Sequence, residues 1–388
     1  MSNHRIIPMD VGCGILSQLP VKALLRFKSV SKEWCSLIND PYFIKLHLRQ
    51  SMETNRNNLN IILKERISGK LLSVGFDSVN LDNPRELDHP LKRRPGAVPD
   101  DDYDYDYDYT QVVGSCNGLL CLTTYDQIYG TVVLWNISTG DYKVLPNELV
   151  KLPPTWGEVE QVTFYGFGYD SINDDYKLVR IVQDIDLSRS PPLLVEEVKV
   201  YSLKANTWRR GEEIPNHYFL QHFSRKVGTF VCGALHWLGI KERTWESPSS
   251  VIAFDVTTEK YHQIELLDNM ERKTYNVDLG ALQECLCAIA TCLDNAVNVW
   301  IMKDYGVKES WTMLYCLQGC LSSGAYLYPL LLAYSKNEDG ILLEKEGMSL
   351  LCYDINGKGF KDFNLPQLQN FKPLCPEICM ESLVKLGD

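Results

Sequence analysis

A chain of 388 residues is long enough for two or three domains or for one large repeat architecture. Its composition, 45% hydrophobic, 11% aromatic and 23% charged, is typical of a globular protein and excludes a chain that is disordered throughout. The formal net charge of −11 repels phosphate backbones, and the one dense basic run, Lys92 to Arg94, is soon followed by an acidic tract. Nucleic acid is therefore not expected as a partner.

The first residues, "MSNHRIIPMD", are polar and broken by Pro8, unlike the apolar core of a signal peptide. No run approaches the ~18 apolar residues of a membrane span. We therefore expect a protein without a membrane span in the cytoplasm, the nucleus or both. In these compartments the 13 cysteines stay reduced, and we expect them mainly as small buried side chains. "CLQGC" (316–320) has no matching Cys or His pair, so no metal and no cofactor are predicted.

Apolar residues recur at helical spacing between Asp10 and Leu48. They form three groups: Ile15, Leu16 and Leu19; Val21, Leu24 and Leu25; Val30, Trp34, Leu37 and Ile38. Pro20 is expected to end the first helix and start the second, and Ser31 to cap the third. "NDP" (39–41) ends that helix, so the pattern predicts three or four short helices.

So few helices bury too little surface to be stable alone. The surplus apolar positions need a surface, which is either the rest of this chain or another protein. Periodicity does not choose between a cap on the following domain and a docking module.

The residues from Ile7 to Phe43 resemble an F-box of the plant type. The resemblance rests on "IPMD" (7–10), "ILSQLPVKALLRFK" (15–28), "VSKEW" (30–34) and "LINDPYF" (37–43), in order and without interruption. It implies docking onto a Skp-type adaptor held by a cullin in an SCF ubiquitin ligase. The residues implied to face the adaptor are Pro8, Ile15, Leu16, Leu19, Pro20, Leu24, Leu25, Val30 and Trp34. "VGCG" (11–14) departs from the family, which has better helix formers there.

From about Asn60 the pattern changes to short alternating strands separated by turn residues. Five copies of an apolar strand, a polar turn and a second strand begin at residues 132, 198, 251, 297 and 350, in steps of 66, 53, 46 and 53 residues. A further strand pair precedes each copy, which gives four strands per unit. Such periods predict the blades of a β-propeller, and a pair of packed sheets is the alternative.

A sixth blade is predicted from "NLNIILKERISGKLLSVGF" (58–76). The last apolar segment, "ICMESLV" (378–384), is expected to return to this blade and close the ring. The predicted fold is mainly β with a small α domain: an F-box of three or four helices (5–48), a linker (49–57) and a six-bladed propeller (58–384).

The β-region also resembles the F-box-associated region of plant F-box proteins. The resemblance rests on "SCNGLLCL" (115–122), "LWNISTGDYKVLP" (134–146), "YGFGYDSINDDYKLVRI" (165–181) and "GALHWLG" (233–239). It implies a substrate receptor whose β-domain binds the protein to be ubiquitinated. The chain resembles members that control immune-receptor abundance, with pollen self-incompatibility receptors as near relatives, and the sequence does not choose between the two groups.

Five aromatic residues are candidates for target contact. Tyr103, Tyr105 and Tyr107 lie in "DDDYDYDYDYT" (100–110), which is predicted to be a loop because adjacent carboxylates repel. Trp156 and Trp245 lie in predicted loops, and exposed aromatic residues anchor interfaces.

No catalytic residue is predicted. His236, beside Trp237 in an apolar strand, is expected to be structural, and no Ser, Cys or Asp has a recognisable catalytic spacing. The sequence therefore favours a non-catalytic ligase subunit. The alternatives are a stand-alone propeller with a helical cap that binds protein or sugar, and a propeller enzyme whose site comes from distant loops.

Overall fold

The structure is a computed structural model. It describes residues 9–54, 59–64, 70–75, 84–92, 110–124, 130–151, 159–186, 188, 193–215, 218–221, 226–240, 250–267, 274–292, 296–318, 330–334, 340–345, 349–357, 359–363 and 376–387. Within this part of the chain, every helix is too short or too polar to cross a membrane.

Four helices precede the sheets: α1 (Met9–Leu16), α2 (Val21–Phe27), α3 (Lys32–Asn39) and α4 (Pro41–Thr54). Pro20 is the N-cap of α2, and the Ser31 hydroxyl accepts a hydrogen bond from the backbone N–H of Trp34 at the start of α3. Both features confirm the sequence prediction. The predicted linker 49–57 differs, because α4 continues through Thr54.

The sheets are six antiparallel blades. The first contains β1 (Leu59–Lys64), β2 (Leu71–Gly75), β3 (Arg85–Leu87) and β25 (Glu377–Met380). The second contains β4 (Thr110–Cys116), β5 (Leu119–Thr124), β6 (Val132–Asn136) and β7 (Tyr142–Val144). The third contains β8 (Val159–Asp170), β9 (Asp175–Asp186), β10 (Leu193–Ser202) and β11 (Thr207–Arg210).

The fourth blade has five strands because its innermost strand is interrupted: β12 (Phe219–Leu220), β13 (Thr229–Val231), β14 (Ala234–Ile240), β15 (Ser250–Asp255) and β16 (Tyr261–Glu265). The fifth contains β17 (Thr274–Leu282), β18 (Cys285–Cys292), β19 (Val297–Met302) and β20 (Trp311–Leu317). The sixth contains β21 (Leu330–Tyr334), β22 (Gly340–Lys345), β23 (Ser349–Asp354) and β24 (Gly359–Phe363). The five repeat copies of the sequence are the two outer strands of blades two to six, which confirms the predicted six-bladed propeller.

The ring is closed by the end of the chain. Strand β25 pairs antiparallel with β1, Leu59 opposite Met380 and Ile62 opposite Glu377, and so supplies the innermost strand of the first blade. The innermost strands then contact one another in the order β25, β4, β8, β13, β17, β21 and back to β25. The predicted return of "ICMESLV" is confirmed for its β25 part, and closure protects the sheet edges that an open array would expose.

The strand order gives the propeller two distinct faces. Within each blade the first and third hairpin turns lie at one end of the strands, as in the turns after Asp170 and Ser202 of the third blade. We call this end the helix face, because the helices contact it. The strand ends that lead into the second turn of each blade and into the next blade lie at the other end, the distal face.

The helices and the propeller share one apolar core. Leu16, Leu24 and Phe43 belong to the same buried cluster as Leu119 of the second blade and Tyr201 of the third. The C-terminal residues Leu383, Val384 and Leu386 complete this cluster. The helical unit, too small for a core of its own, therefore packs on the chain that follows it.

Candidate functional site: the outer surface of the helices

The geometry of the first three helices is set by local contacts. The Ser31 hydroxyl lies 3.2 Å from the Trp34 nitrogen and begins α3, and the rings of Phe27 and Trp34 meet edge to face at 5.3 Å. At the next junction the Asp40 carboxylate accepts hydrogen bonds from Tyr42 and Phe43 and so caps α4. Such caps satisfy backbone N–H groups that a helix start leaves unpaired, so the sequence defines where each helix begins.

The inner side of the helices is already buried within the chain. Leu16 and Leu24, two of the residues predicted to face an adaptor, are 2% and 0% exposed. They pack in the core shared with the propeller and leave no surface for a partner in this arrangement. The resemblance identified them as interface residues, whereas their position makes them packing residues.

The outer side of the helices carries exposed apolar residues. Ile15 and Val30, both predicted adaptor contacts, are 55% and 62% exposed. Val11, one turn before Ile15 on α1, is 51% exposed, and the two lie on the same side of the helix because residues four apart do so. Val11 was not predicted, although its i, i+4 spacing to Ile15 is visible in the sequence.

The remaining predicted adaptor residues lie between these extremes. Pro20 is exposed at the start of α2, while Leu19, Leu25 and Trp34 are half-buried at the edge of the shared core. Pro8 lies outside the described residues. We define the outer surface as four exposed apolar residues of the first three helices and their connections: Val11, Ile15, Pro20 and Val30.

Polar contacts hold the helices against the propeller. The Lys45 Nζ of α4 lies 2.6 Å from the Asp174 carboxylate, in a turn of the helix face. Lys22 of α2 lies 3.6 Å from Glu381, and the Lys385 Nζ donates to the Asn39 carbonyl at 3.1 Å. All are at least partly exposed, so each adds little stability and serves mainly to fix orientation.

His47 of α4 is buried under the helices. Its Nε2 lies 2.9 Å from the Leu19 carbonyl, which can only accept, so Nε2 carries the proton and Nδ1 is left without a hydrogen-bond partner. Burial lowers the pKa of His47, against smaller opposing effects of the Leu19 hydrogen bond and the Glu381 charge. A neutral His47 is thus part of the helix packing.

The distal face contains the connections that were predicted to contact a target. Tyr103, Tyr105, Tyr107, Trp156 and Trp245 all lie outside the described residues. The strand ends that flank them, after β3, β7 and β14, lie at the distal face, because each is a connection between blades or the second turn of a blade. This face is directed away from the helices.

A cavity of about 200 Å³ lies on the propeller axis. Its walls are innermost strands of several blades, with Ser115, Thr229 and Glu377 among the polar residues. At Gly228, in the wall of the cavity, the backbone packs directly on the Trp237 ring, since an added Cβ atom would lie 2.6 Å from that ring. The cavity is a small central channel.

The buried histidine of β14, His236, makes hydrogen bonds through both ring nitrogens. The His236 Nδ1 lies 3.0 Å from the Thr229 carbonyl and its Nε2 lies 2.8 Å from the Tyr305 hydroxyl, so the ring is satisfied as expected.

Of the eleven described cysteines, Cys116, Cys121, Cys287 and Cys379 are buried, and burial raises the pKa of all four thiols. Five others are half-buried and two are exposed, so the expectation that the cysteines are mainly buried holds only for these four. Among the described residues, no three His, Cys, Asp or Glu side chains are grouped to hold a metal ion.

Both parts of the chain match known protein families. Residues 6–46 match the F-box domain, and residues 66–385 match the F-box associated beta propeller domain. The chain is similar to F-box protein CPR1 of Arabidopsis thaliana, with 33% identity over 366 residues, 91% of this chain and 83% of that relative. It is also similar to the F-box/kelch-repeat protein At3g23880 of Arabidopsis thaliana, with 28% identity over 82% of this chain and 81% of that one.

Similarity to solved structures is weaker. The chain is similar to a prolyl endopeptidase structure, with a TM-score of 0.39 and 11% identity over 92% of this chain and 47% of that chain. An oligogalacturonate lyase structure gives the same TM-score at 8% identity, over 79% of this chain and 78% of that chain. Scores this low carry no conclusion about function.

Proposed function

The chain belongs to the F-box proteins that carry an F-box-associated β-propeller, and we propose that it is the substrate-recognition subunit of an SCF-type E3 ubiquitin ligase. An F-box domain implies binding to a Skp-type adaptor, and through the adaptor to a cullin. The propeller then binds the target protein, which is ubiquitinated and degraded by the proteasome.

The observation that supports this proposal is the outer surface of the helices. Val11 and Ile15 of α1 are more than half exposed, although Leu16 of the same helix is buried, and Val30 in the turn before α3 is also more than half exposed. Val11 and Ile15 lie one helical turn apart, and neighbouring exposed apolar residues are a feature of surfaces that bind another protein. The adaptor binds this outer surface while the helices stay packed on the propeller.

The two binding functions occupy opposite ends of the molecule. The adaptor is bound beyond the helix face, and the target is bound by the connections of the distal face. The chain contributes no chemistry of its own in this mechanism. It holds the target near a conjugating enzyme, and this raises the effective concentration of target lysines at the site of transfer.

The finer parts of the proposal are the location and the target class. We propose the cytoplasm, the nucleus or both as the location. Immune receptors are proposed as targets, supported by the resemblance to members that control immune-receptor abundance. Recognition uses the aromatic residues Tyr103, Tyr105, Tyr107, Trp156 and Trp245 of the distal connections.

The binding of a Skp-type adaptor to the purified chain tests the proposal. Ile15→Asp and Val30→Asp place a charge in the outer surface, and each is expected to weaken binding by about 2 kcal/mol or more, roughly 30-fold. Met52→Asp is the matched control, because Met52 of α4 is 55% exposed, like Ile15, but is not an adaptor residue. Unchanged affinity of both outer-surface variants would contradict the proposed site.

The alternative is a stand-alone propeller whose helices are only a cap, and the burial of Leu16 and Leu24 favours it. Substitution of Leu24 does not separate the alternatives, because a charge at a fully buried position unfolds the helices in either case. Titration of the wild-type chain does separate them. A cap gives no complex with any Skp-type adaptor, whereas a ligase subunit gives a stoichiometric one.

Target capture requires cells. Proximity labelling with proteasome inhibition, comparing the wild type with Ile15→Asp, is expected to recover the same target from both chains but cullin only from the wild type. Substitution is preferable to deletion of the helices, since deletion would uncover the apolar helix face of the propeller.

A further inference from the structure

Residues 381–387 follow β25 and pack against both the helices and the propeller. We define residues 381–387 as the C-terminal tail. Ser382, Leu383, Val384 and Leu386 are all buried, although the tail forms no regular secondary structure. Gly118 in the second blade makes room for it, since a Cβ atom there would lie 2.4 Å from the Ser382 hydroxyl. An irregular segment this well buried is a built part of the structure.

Two side chains of the second blade hold the tail: the fully buried Asn136, and Ser138, whose hydroxyl accepts a hydrogen bond from the Ser382 backbone nitrogen at 3.2 Å. The Asn136 Nδ2 donates to the Val384 carbonyl at 2.8 Å and to the Ser382 carbonyl at 3.2 Å. Its Oδ1 accepts from the backbone nitrogens of Ser138 and Thr139, within the turn between β6 and β7. One amide thus joins a turn of the second blade to the end of the chain.

Equivalent turns show why an amide is used here. Between β15 and β16 the Oδ1 of Asp255 accepts from two backbone nitrogens, and between β23 and β24 the Oδ1 of Asp354 does the same. An aspartate is therefore sufficient for the turn. Only the second of these three blades has asparagine at this position, and the tail uses the two hydrogens that an aspartate lacks.

The other side of the tail contacts the helices. Lys385 donates to the carbonyl of Asn39, the last residue of α3, and Glu381 lies 3.6 Å from Lys22 of α2. Leu383, Val384 and Leu386 lie in the same apolar cluster as Leu16, Leu24 and Ile38 of the helices. The tail is thus packed between the helices and the second blade.

We infer that residues 381–387 are an intramolecular docking segment that fixes the helices on the propeller, with Asn136 as its selective anchor. The helices lack a core of their own, so their inner apolar residues depend on this segment for cover. Docking also fixes the outer surface of the helices relative to the distal face. That last consequence for ligase geometry rests on the proposed function, whereas the docking itself does not.

Hydrogen exchange of the full chain, followed by mass spectrometry, tests the inference. A chain that ends at Met380 keeps β25 and the closed ring but lacks the tail. We expect the amides of α1 to α4 to exchange at least about tenfold faster in it, with the innermost strands unchanged, because local opening follows the loss of buried contacts.

A matched pair of substitutions tests the anchor. Asn136→Asp keeps the turn acceptor and removes both hydrogens that the tail receives, so the helices are expected to exchange faster, as in the shortened chain. Asp354→Asn makes the reverse change in an equivalent turn without a tail and is expected to leave the helices unchanged.

Unchanged exchange of the helices in the folded chain that ends at Met380 would overturn the docking segment, and unchanged exchange in Asn136→Asp would overturn the anchor. If one variant does not fold, the other decides. If both fail to fold while Asp354→Asn folds, the tail is part of the propeller core, and the inference is wrong. Exchange requires no adaptor, so failure here is distinguishable from failure of the proposed function.

Discussion

The hydroxyl of Tyr305, in the fifth blade, lies within hydrogen-bond distance of two histidine rings of the fourth blade, His236 and His262. Thr229 offers only a carbonyl, so the His236 Nδ1 carries its proton and Nε2 accepts from the Tyr305 hydroxyl at 2.8 Å. The Tyr305 oxygen in turn accepts from the His262 Nε2 at 3.0 Å. A ring buried in this chain of hydrogen bonds is stable only when it is neutral.

Stability is therefore expected to depend on pH through His236. Burial, reinforced by the nearby His262, lowers the pKa of His236 to about 4 against the hydrogen bond to Thr229, whereas in the unfolded chain it is about 6.5. The contribution of the neutral ring is fully present above pH 6.5 and is lost as the pH falls to about 4, up to about 3 kcal/mol.

Denaturant unfolding between pH 7.5 and 4.5 measures this dependence. His236→Gln, which keeps a donor and an acceptor but does not titrate, is expected to flatten the slope. His262→Gln, on the more exposed side of Tyr305, should keep most of it. An unaltered slope in His236→Gln would show that other groups are responsible.

At two glycines we expect an added methyl group to change the stability of the protein in opposite directions. A Cβ at Gly14, the helix-weakening residue of α1, would have no atom within 4 Å, so Gly14→Ala is expected to stabilise the helices by about 1 kcal/mol. At Gly166 of β8 a Cβ would stand 2.7 Å from the Trp237 ring, so Gly166→Ala is expected to destabilise the propeller. Thermal unfolding of both variants checks the signs, and equal effects would contradict the packing described.

At the scale of elements, a buried ionic cluster joins the third and fourth blades. The Lys177 Nζ of β9 donates to the Val256 carbonyl at 2.6 Å and to Glu259 at 2.8 Å, and it lies 3.1 Å from Asp170. Burial alone would raise the pKa of Asp170, but hydrogen bonds from Asn173, Thr257 and Lys177 outweigh it and hold the pKa below its ordinary value. Lys177 and Asp170 of the third blade are thus paired with each other and with Val256, Thr257 and Glu259 of the turn between β15 and β16.

Removal of the lysine is expected to be costly. Lys177→Met removes the cation beside the buried Asp170 carboxylate and the donor to the Val256 carbonyl, and we expect a loss of about 3 to 5 kcal/mol in the free energy of unfolding. Lys45→Met, which removes the exposed ion pair with Asp174, is the control and should change it by less than about 1 kcal/mol. Urea unfolding compares the two, and a loss for Lys177→Met as small as that of Lys45→Met would refute the role of the cluster.

The elements themselves follow from local sequence. "LWNISTG" in the second blade and "AFDVTTE" in the fourth combine a strand of apolar residues with an Asx turn, and both become the predicted outer hairpins. Pro20 and Ser31 define helix starts for equally local reasons. These elements could be predicted because the residues that define them are close together in the sequence.

Long-range packing was less accessible. Ile15 and Leu16 are both apolar, and as adjacent residues of a helix they point to different sides. The sequence does not show which side is buried, whereas the tertiary fold buries Leu16 and exposes Ile15. Likewise, the amide of Asn136 gains its role from residues 246 and 248 positions away. No local pattern contains that pairing.

At the scale of the whole molecule, the helices and the C-terminal tail meet at the helix face. The helices lead into β1, and β25 beside it leads into the C-terminal tail, so ring closure and helix docking use neighbouring strands. We propose that this arrangement leaves the outer surface of the helices free for an adaptor while the tail keeps the inner surface covered.

Hydrogen exchange of the chain with and without a Skp-type adaptor tests this claim most directly. We expect added protection between residues 9 and 34 when the adaptor is bound, with residues 381–387 equally protected in both states. Loss of protection at residues 381–387 on binding would mean that the adaptor displaces the tail, and no added protection between residues 9 and 34 would mean that the outer surface is not the adaptor site. Either result would contradict the account.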